Sequence, residues 1–167
     1  MRKKIAALVG LIILLGVNYT IYSREQLVSN GRIVLLELAP VDPRSLMQGD
    51  YMALDFAINR TAFSSIATEQ AESFNDGYLV ISLDKNRVAQ FLRFADKKSI
   101  NHYELLLRYR VRDGQPKFAT NAYFFQEGMS EQYATARYGE FRVSEQGDMI
   151  LTKLRDAQFT ELGETPR

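Results

Sequence analysis

The strongest constraint on this chain is an apolar run near its start, IAALVGLIILLGVNYTIY at residues 5–22, uncharged and bracketed by Arg2, Lys3 and Lys4 before it and Arg24 after it. At about 1.5 Å of rise per residue, a helix of that length extends roughly 27 Å, close to the roughly 30 Å hydrocarbon core of a bilayer. Residues 5–22 are therefore expected to cross a lipid bilayer once, with Ile5, Leu8, Leu11 and Leu14 as anchor residues and Tyr19 and Tyr22 in the aromatic belt at the outer interface. The three basic residues hold the N-terminus in the cytoplasm by the positive-inside rule, which puts the remainder outside. A cleaved signal peptide is the rival reading, because Ile5–Val17 is short enough for its apolar region. No small-x-small cleavage site follows, however, and Asn18, Tyr19, Ile21 and Tyr22 suit one poorly. A buried helix of a soluble protein fits the basic and aromatic flanks least well.

The helix is expected to continue through Ser23–Val28 and to end at Asn30-Gly31, where glycine supplies a left-handed residue. No long linker follows. Residues 1–31 thus read as a basic tip, anchor and short extension, 32–160 as one domain close to the membrane, and 161–167 as a tail.

With 46% hydrophobic and 25% charged residues in 167, the composition is that of an ordinary folded domain. Setting aside Arg2, Lys3 and Lys4 leaves 18 basic against 20 acidic residues, so the domain is slightly acidic and lacks the basic surplus of a nucleic-acid binder. The absence of cysteine removes disulfides, thiolate nucleophiles and Cys-type zinc sites, and His102, the single histidine, removes sites built on two imidazoles. No metal and no cofactor are expected.

Beyond Gly31 the dominant period is two, the signature of half-buried strands. In residues 103–112 Tyr103, Leu105, Leu107, Tyr109 and Val111 alternate with Glu104, Leu106, Arg108, Arg110 and Arg112. Asp113-Gly114 turns the chain, and Phe118, Thr120, Ala122 and Phe124 alternate with Ala119, Asn121, Tyr123 and Phe125 in a return strand. Hairpins are predicted over 78–83 with 87–94 and over 138–144 with 149–154, and single strands at 32–38 and 51–57. The fold class expected is mainly β, an antiparallel barrel or sandwich of about eight strands behind the transmembrane helix. One short helix over 61–74 covers the sheet, its apolar face formed by Phe63, Ile66, Ala67, Gln70 and Phe74.

The least ordinary stretch is PVDPRSLMQGDYMALDF, residues 40–56. Pro40 and Pro43 stiffen a loop, Gly49-Asp50 makes a turn, and Met52, Leu54 and Phe56 point to one side of a strand. Gly49-Asp50-Tyr51-Met52-Ala53-Leu54-Asp55-Phe56 resembles the signature of the bacterial GDYXXLXY family, with Phe56 in the place of its last tyrosine. The likeness extends to the preceding loop Pro40-Val41-Asp42-Pro43-Arg44, to Tyr123-Phe124-Phe125-Gln126-Glu127-Gly128, and to the N-terminal helix. It implies a bacterial inner-membrane, single-pass protein with its domain in the periplasm or outside. Members of that family are often encoded beside multi-spanning membrane proteins, which implies a polytopic membrane partner. The resemblance brings no catalytic activity with it.

Loss of the phenol at Phe56 matters little if the side chain is core, so position 56 reads as structural. Gly49, Asp50 and Tyr51 read first as turn glycine, capping carboxylate and packed tyrosine. The functional alternative makes Arg44, Asp50 and Tyr51 a recognition patch beside Leu54 and Glu127. Glu127 and Glu131 are expected as solvated loop carboxylates, or as an acidic cluster should they meet Asp50. Arg108, Arg110 and Arg112 are expected on a solvated strand face, with Glu104 able to pair with one of them; anionic head groups would attract that face if it turned to the membrane.

Three function classes follow. The leading one is a non-catalytic accessory module docking on a polytopic membrane protein. A serine hydrolase of signal-peptidase type is the enzymatic alternative, through Ser45 and a lysine such as Lys85, but Ser45 lies too close to Gly49 and Lys85 falls in a turn. A small-ligand-binding barrel is the third, supplied by nine Tyr and ten Phe that would equally fill a core.

Overall fold

A computed structural model of the protein describes residues 2–39, 47–48, 51–63, 75–95, 100–112, 115–120 and 122–163. Helix α1 (Arg2–Asn30) contains an apolar window of mean hydropathy 2.1, none of it covered by the rest of the chain, and is long and apolar enough to cross a membrane. It therefore does not pack as the core helix of a soluble fold.

The end of α1 differs from expectation in an informative way. Gly31 is not among the residues with a left-handed backbone. Glycine is required there by crowding: a Cβ would lie 2.4 Å from the Leu27 carbonyl oxygen and 3.0 Å from Cβ of Arg142. The Gly31 N–H still donates to Leu27 O at 2.9 Å, and Arg142 Nη1 donates to Gly31 O at 3.2 Å. With Leu27 buried, the helix runs into the domain without a linker.

That domain carries β1 (Arg32–Glu37), β2 (Met47–Gln48), β3 (Tyr51–Ala53), helix α2 (Ala57–Phe63), β4 (Gly77–Leu83), β5 (Ala89–Phe94), β6 (Leu105–Arg112), β7 (Gln115–Lys117), β8 (Ala122–Phe124), the single turn α3 (Ser130–Tyr133), β9 (Tyr138–Val143) and β10 (Met149–Arg155). Among the described residues every pair of these strands is antiparallel, in three sheets ordered β1-β9-β10, β2-β3-β8 and β5-β4-β6-β7, and one isolated parallel bridge joins Leu35 to Val88. Among the described residues the strands do not close, so of the two expected alternatives, barrel and sandwich, the closed barrel is not formed. The sheets are instead stitched at points. Leu35 N donates to Arg87 O at 2.9 Å, and Arg108 N donates to Gly147 O at 2.9 Å. Gly147, at φ +85°, lets the β9–β10 turn press on β6, where a Cβ would meet that of Leu106 at 3.0 Å.

One hydrophobic cluster draws on every sheet: Val34 and Phe141, Met52 and Leu54, Leu79 and Leu107. Phe56 is buried at its centre, edge-on to Phe141 at 5.5 Å and to Phe118 at 6.2 Å.

Several boundaries move. The strand expected over 51–57 stops at Ala53, because Asp55 Oδ1 accepts the Phe56 N–H at 2.9 Å and Asn59 Nδ2 at 3.2 Å, starting α2 at Ala57. The helix thus begins four residues earlier than predicted, and its expected part over 64–74 lies outside the described residues. The return strand predicted after Asp113-Gly114 is two strands: β7 pairs with β6, whereas β8 pairs with β3. Thr120 makes the crossover, its Oγ1 donating to Ala122 O at 2.8 Å and accepting the Ala122 N–H at 3.2 Å. Strand β6 begins only at Leu105, so Tyr103 is 69% exposed rather than core. Glu161 and Leu162, assigned from sequence to the tail, are held by an ion pair from Lys153 and by Leu162 N donating to Leu154 O.

Two buried carboxylates fix the sheets. Glu104 pairs with Arg93 and not with the arginines of β6: Arg93 donates at 2.7 and 3.0 Å, Asn101 N at 3.0 Å and Asn101 Nδ2 at 3.2 Å. The Arg93 hydrogen bonds, then the Asn101 N–H, hold the Glu104 carboxyl down at about 2, against the opposing effect of burial. Its folded value is depressed, so its stabilising contribution is complete above the ordinary value of 4.5 and is lost as pH falls toward about 2. Glu104→Gln is expected to lower the melting temperature at pH 7 and to erase most of its difference from wild type by pH 2, read by thermal unfolding across that range.

Glu140, 3% exposed, accepts from Arg155 Nε at 2.6 Å, while Arg155 Nη1 donates to Phe159 O at 2.5 Å. Removing one partner strands a buried charge, so Arg155→Met is expected to cost about 3 kcal/mol in denaturant unfolding. The double variant Glu140→Met/Arg155→Met is expected to recover most of that loss, since both charges then leave together.

Candidate functional site

The signature strand is divided by its pleat. Met52, Leu54 and Phe56 are buried, whereas Tyr51, Ala53 and Asp55 are half-buried on the other side. Leu54 is therefore part of the core. Tyr51 remains at the surface end, and Arg44, Gly49 and Asp50 lie outside the described residues.

The second segment of the family resemblance is the direct neighbour of the first. Strand β8 pairs with β3 in the register Tyr51↔Phe124, Met52↔Tyr123 and Ala53↔Ala122. The two segments, more than sixty residues apart in sequence, thus form one ladder. The Tyr51 ring tilts against that of Phe124 at 5.7 Å between centroids, yet Phe124 is 75% exposed. Sequence alternation had grouped Phe124 with Phe118, which is buried. The polar pair Thr120-Asn121 was the signal that this alternation is interrupted.

Behind Phe124 the register turns inward to a stack of rings. Tyr123 lies 5.2 Å from Tyr133, and Phe125 stacks on Tyr133 at 5.2 Å. Burial first, then a hydrogen bond with Tyr133, pushes the Tyr123 phenol up to about 12. This holds the phenol in its protonated, hydrogen-bonding form through the physiological range.

Glu127 follows in an exposed turn, closed by Met129 N donating to Gln126 O at 3.1 Å and permitted by Gly128 at φ +82°. Glu131 is exposed on α3. No group of three or more His, Cys, Asp and Glu residues able to hold a metal occurs among the described residues. Of the proposed hydrolase pair, Ser45 lies outside the described residues, and Lys85 is exposed in the β4–β5 turn instead of lining a dry cleft.

Arg24, absent from the sequence-derived site, joins this surface. It lines with Phe124, Tyr123, Ala122 and Thr120 a groove of about 460 Å³ floored by Met149 and Leu151 of β10. The signature ladder therefore opens toward the domain-proximal end of α1. What the arrangement offers is an exposed aromatic, an arginine and a groove, the parts of a recognition surface.

Neither the curated proteins nor the solved structures contain a match to this chain. The family model described as GDYXXLXY protein does match, over residues 13–154, which takes in the distal part of the apolar helix, the signature strand and its β8 partner, and the chain belongs to that family.

Proposed function

We propose that this protein is a non-catalytic accessory module, anchored by residues 5–22 in the bacterial inner membrane with its N-terminus in the cytoplasm, whose domain docks on a polytopic membrane protein. The observation that carries the reading is the 75% exposure of Phe124 on the signature ladder, beside a groove that also holds Arg24 from α1. A phenylalanine left in water forgoes about 2 kcal/mol that burial would supply, and aromatic and arginine side chains are the usual anchors of interfaces. The short junction at Gly31 supports the same reading, because it keeps this surface beside the bilayer, within reach of the extramembrane loops of a neighbour. Tyr19 and Tyr22 suit the outer interface, and the basic residues 2–4 suit the inner one.

Extraction of the full-length chain from native membranes in mild detergent tests the docking. The chain is expected to elute with a multi-spanning protein, and Phe124→Ala to weaken that association by roughly thirtyfold, the equivalent of about 2 kcal/mol. Leu92→Ala, at another exposed apolar side chain on β5, is expected to leave the association intact. Elution of the wild-type chain alone, under conditions in which a known membrane complex survives, would overturn the proposal.

A further inference from the structure

Next to the Phe124 groove lies a second one of about 590 Å³, and its chemistry is different. Its walls carry Arg24, Arg108, Arg110, Arg112 and Lys117 against a single carboxylate, Asp148. Such a concentration is not the chain's average, since beyond residue 4 acidic residues outnumber basic ones. It arises from the pleat of β6: Leu107 and Tyr109 turn into the core, so Arg108, Arg110 and Arg112 share the outer face at intervals of roughly 7 Å.

Like charges at that spacing repel, and a fold that only needed a solvated face would intersperse carboxylates. Two of the arginines have such partners, Arg108 with Asp148 at 3.3 Å and Arg112 with Asp76 at 3.5 Å, both pairs open to solvent. Arg110 and Arg24 make no ion pair among the described residues, although both face the same space. Four of the five cations are arginines, whose planar forks match phosphate oxygens two at a time.

Position then selects the source of the phosphate. Arg24 follows Tyr22 by two residues, or about 3 Å along the helix axis, so if Tyr22 sits in the aromatic belt the groove opens at head-group depth. The Arg108 N–H to Gly147 O bond seats the β9–β10 turn on β6, and α1 packs on those same two strands, which keeps the arginine face turned to the helix.

We propose that this groove binds the phosphate of an anionic phospholipid head group in the leaflet where α1 emerges. The proposal rests on the anchored reading given above and adds a ligand class to it. Lipid is favoured over an acidic protein surface because Arg24 lies on the same helix two residues beyond the anchor, so its depth is set by the bilayer. A juxtamembrane cation contributes about a fivefold gain in affinity for anionic lipid.

The test is native mass spectrometry of the full-length chain released from detergent micelles, titrated separately with phosphatidylglycerol, phosphatidylcholine and inorganic phosphate. Phosphatidylglycerol is expected to bind at concentrations at least tenfold lower than phosphatidylcholine, with no adduct from inorganic phosphate. Arg110→Gln is expected to weaken phosphatidylglycerol binding about fivefold, and Arg24→Gln/Arg110→Gln about twenty-five-fold. Neither change strands a carboxylate, and Arg24→Lys/Arg110→Lys, which keeps the charge, is expected to retain most of the binding.

Equal binding of the two lipids would overturn the proposal and return the arginines to an acidic protein partner. Binding of inorganic phosphate as tight as that of phosphatidylglycerol would overturn the lipid assignment in favour of a soluble anion. Unchanged binding by the double glutamine variant would exclude the groove. Alkaline carbonate extraction of the same cells separates this failure from that of the anchor. A pelleted wild-type chain without lipid preference refutes the head-group site alone, whereas a chain recovered in the soluble fraction refutes both.

Discussion

The contact on which the rest of the molecule depends is the junction between α1 and the first sheet. Leu27 is buried, Gly31 approaches so closely that a single added carbon would strike the Leu27 carbonyl, and Arg142 of β9 donates to Gly31 O. Burial of one leucine contributes about 2 kcal/mol, which corresponds to roughly a thirtyfold preference for the docked helix over a freely hinged one. A residue larger than glycine at position 31 would push the helix off β9 and give up that contact. The helix is thus an arm of the domain, and its direction is set by the same sheet that carries Phe141 and the rest of the core.

The family signature works at two levels of this structure. Met52, Leu54 and Phe56 enter the central cluster, where Phe56 stands between Phe118 and Phe141 and ties the signature to strands from distant parts of the chain. A phenol buried there would need a hydrogen-bond partner, and a phenyl ring needs none, which is why phenylalanine serves at this position. Tyr51, on the opposite side of the strand, meets Phe124 of β8. The pairing couples the two segments, because a change of register in one would displace the other.

How much of this was legible in the sequence follows from which forces are local. The apolar helix, the 78–94 hairpin and the 138–154 hairpin were visible because period and turn chemistry act over a few residues; Asp84 Oδ1, for instance, accepts the N–H groups of both Asn86 and Val88 at 2.8 Å. The split of the return strand was not, because β8 pairs with residues 51–53, far upstream in the chain, and no local pattern encodes that choice. The choice between barrel and sandwich was open for the same reason: closure depends on edges meeting, and in the described residues point contacts at Leu35 and Gly147 join the sheets instead. The partner of Glu104 was also misassigned. Face alternation placed it with Arg108, Arg110 and Arg112, whereas β6 begins at Leu105 and Glu104 belongs to the loop that Arg93 closes. Of the candidate site, Tyr51, Phe124 and Glu127 lay in the segments of the resemblance, but the exposure of Phe124 and the place of Arg24 beside it could emerge only from the fold.

The junction also decides what the charged face can accomplish. At physiological ionic strength electrostatic attraction decays over about 8 Å, so a cation influences a membrane only while it stays within that distance of the head groups. A flexible linker of ten residues would let the domain wander by roughly 15–20 Å, and the arginines of β6 would spend most of their time screened. Docking through Leu27 and Gly31 removes that freedom. On the anchored reading proposed above, the same geometry would hold Phe124 at a constant height above the span, where a neighbouring membrane protein would present its loops. Under that proposal a rigid arm gives two modest surface features, an exposed ring and a row of arginines, a fixed depth, and depth is the coordinate that a membrane environment reads.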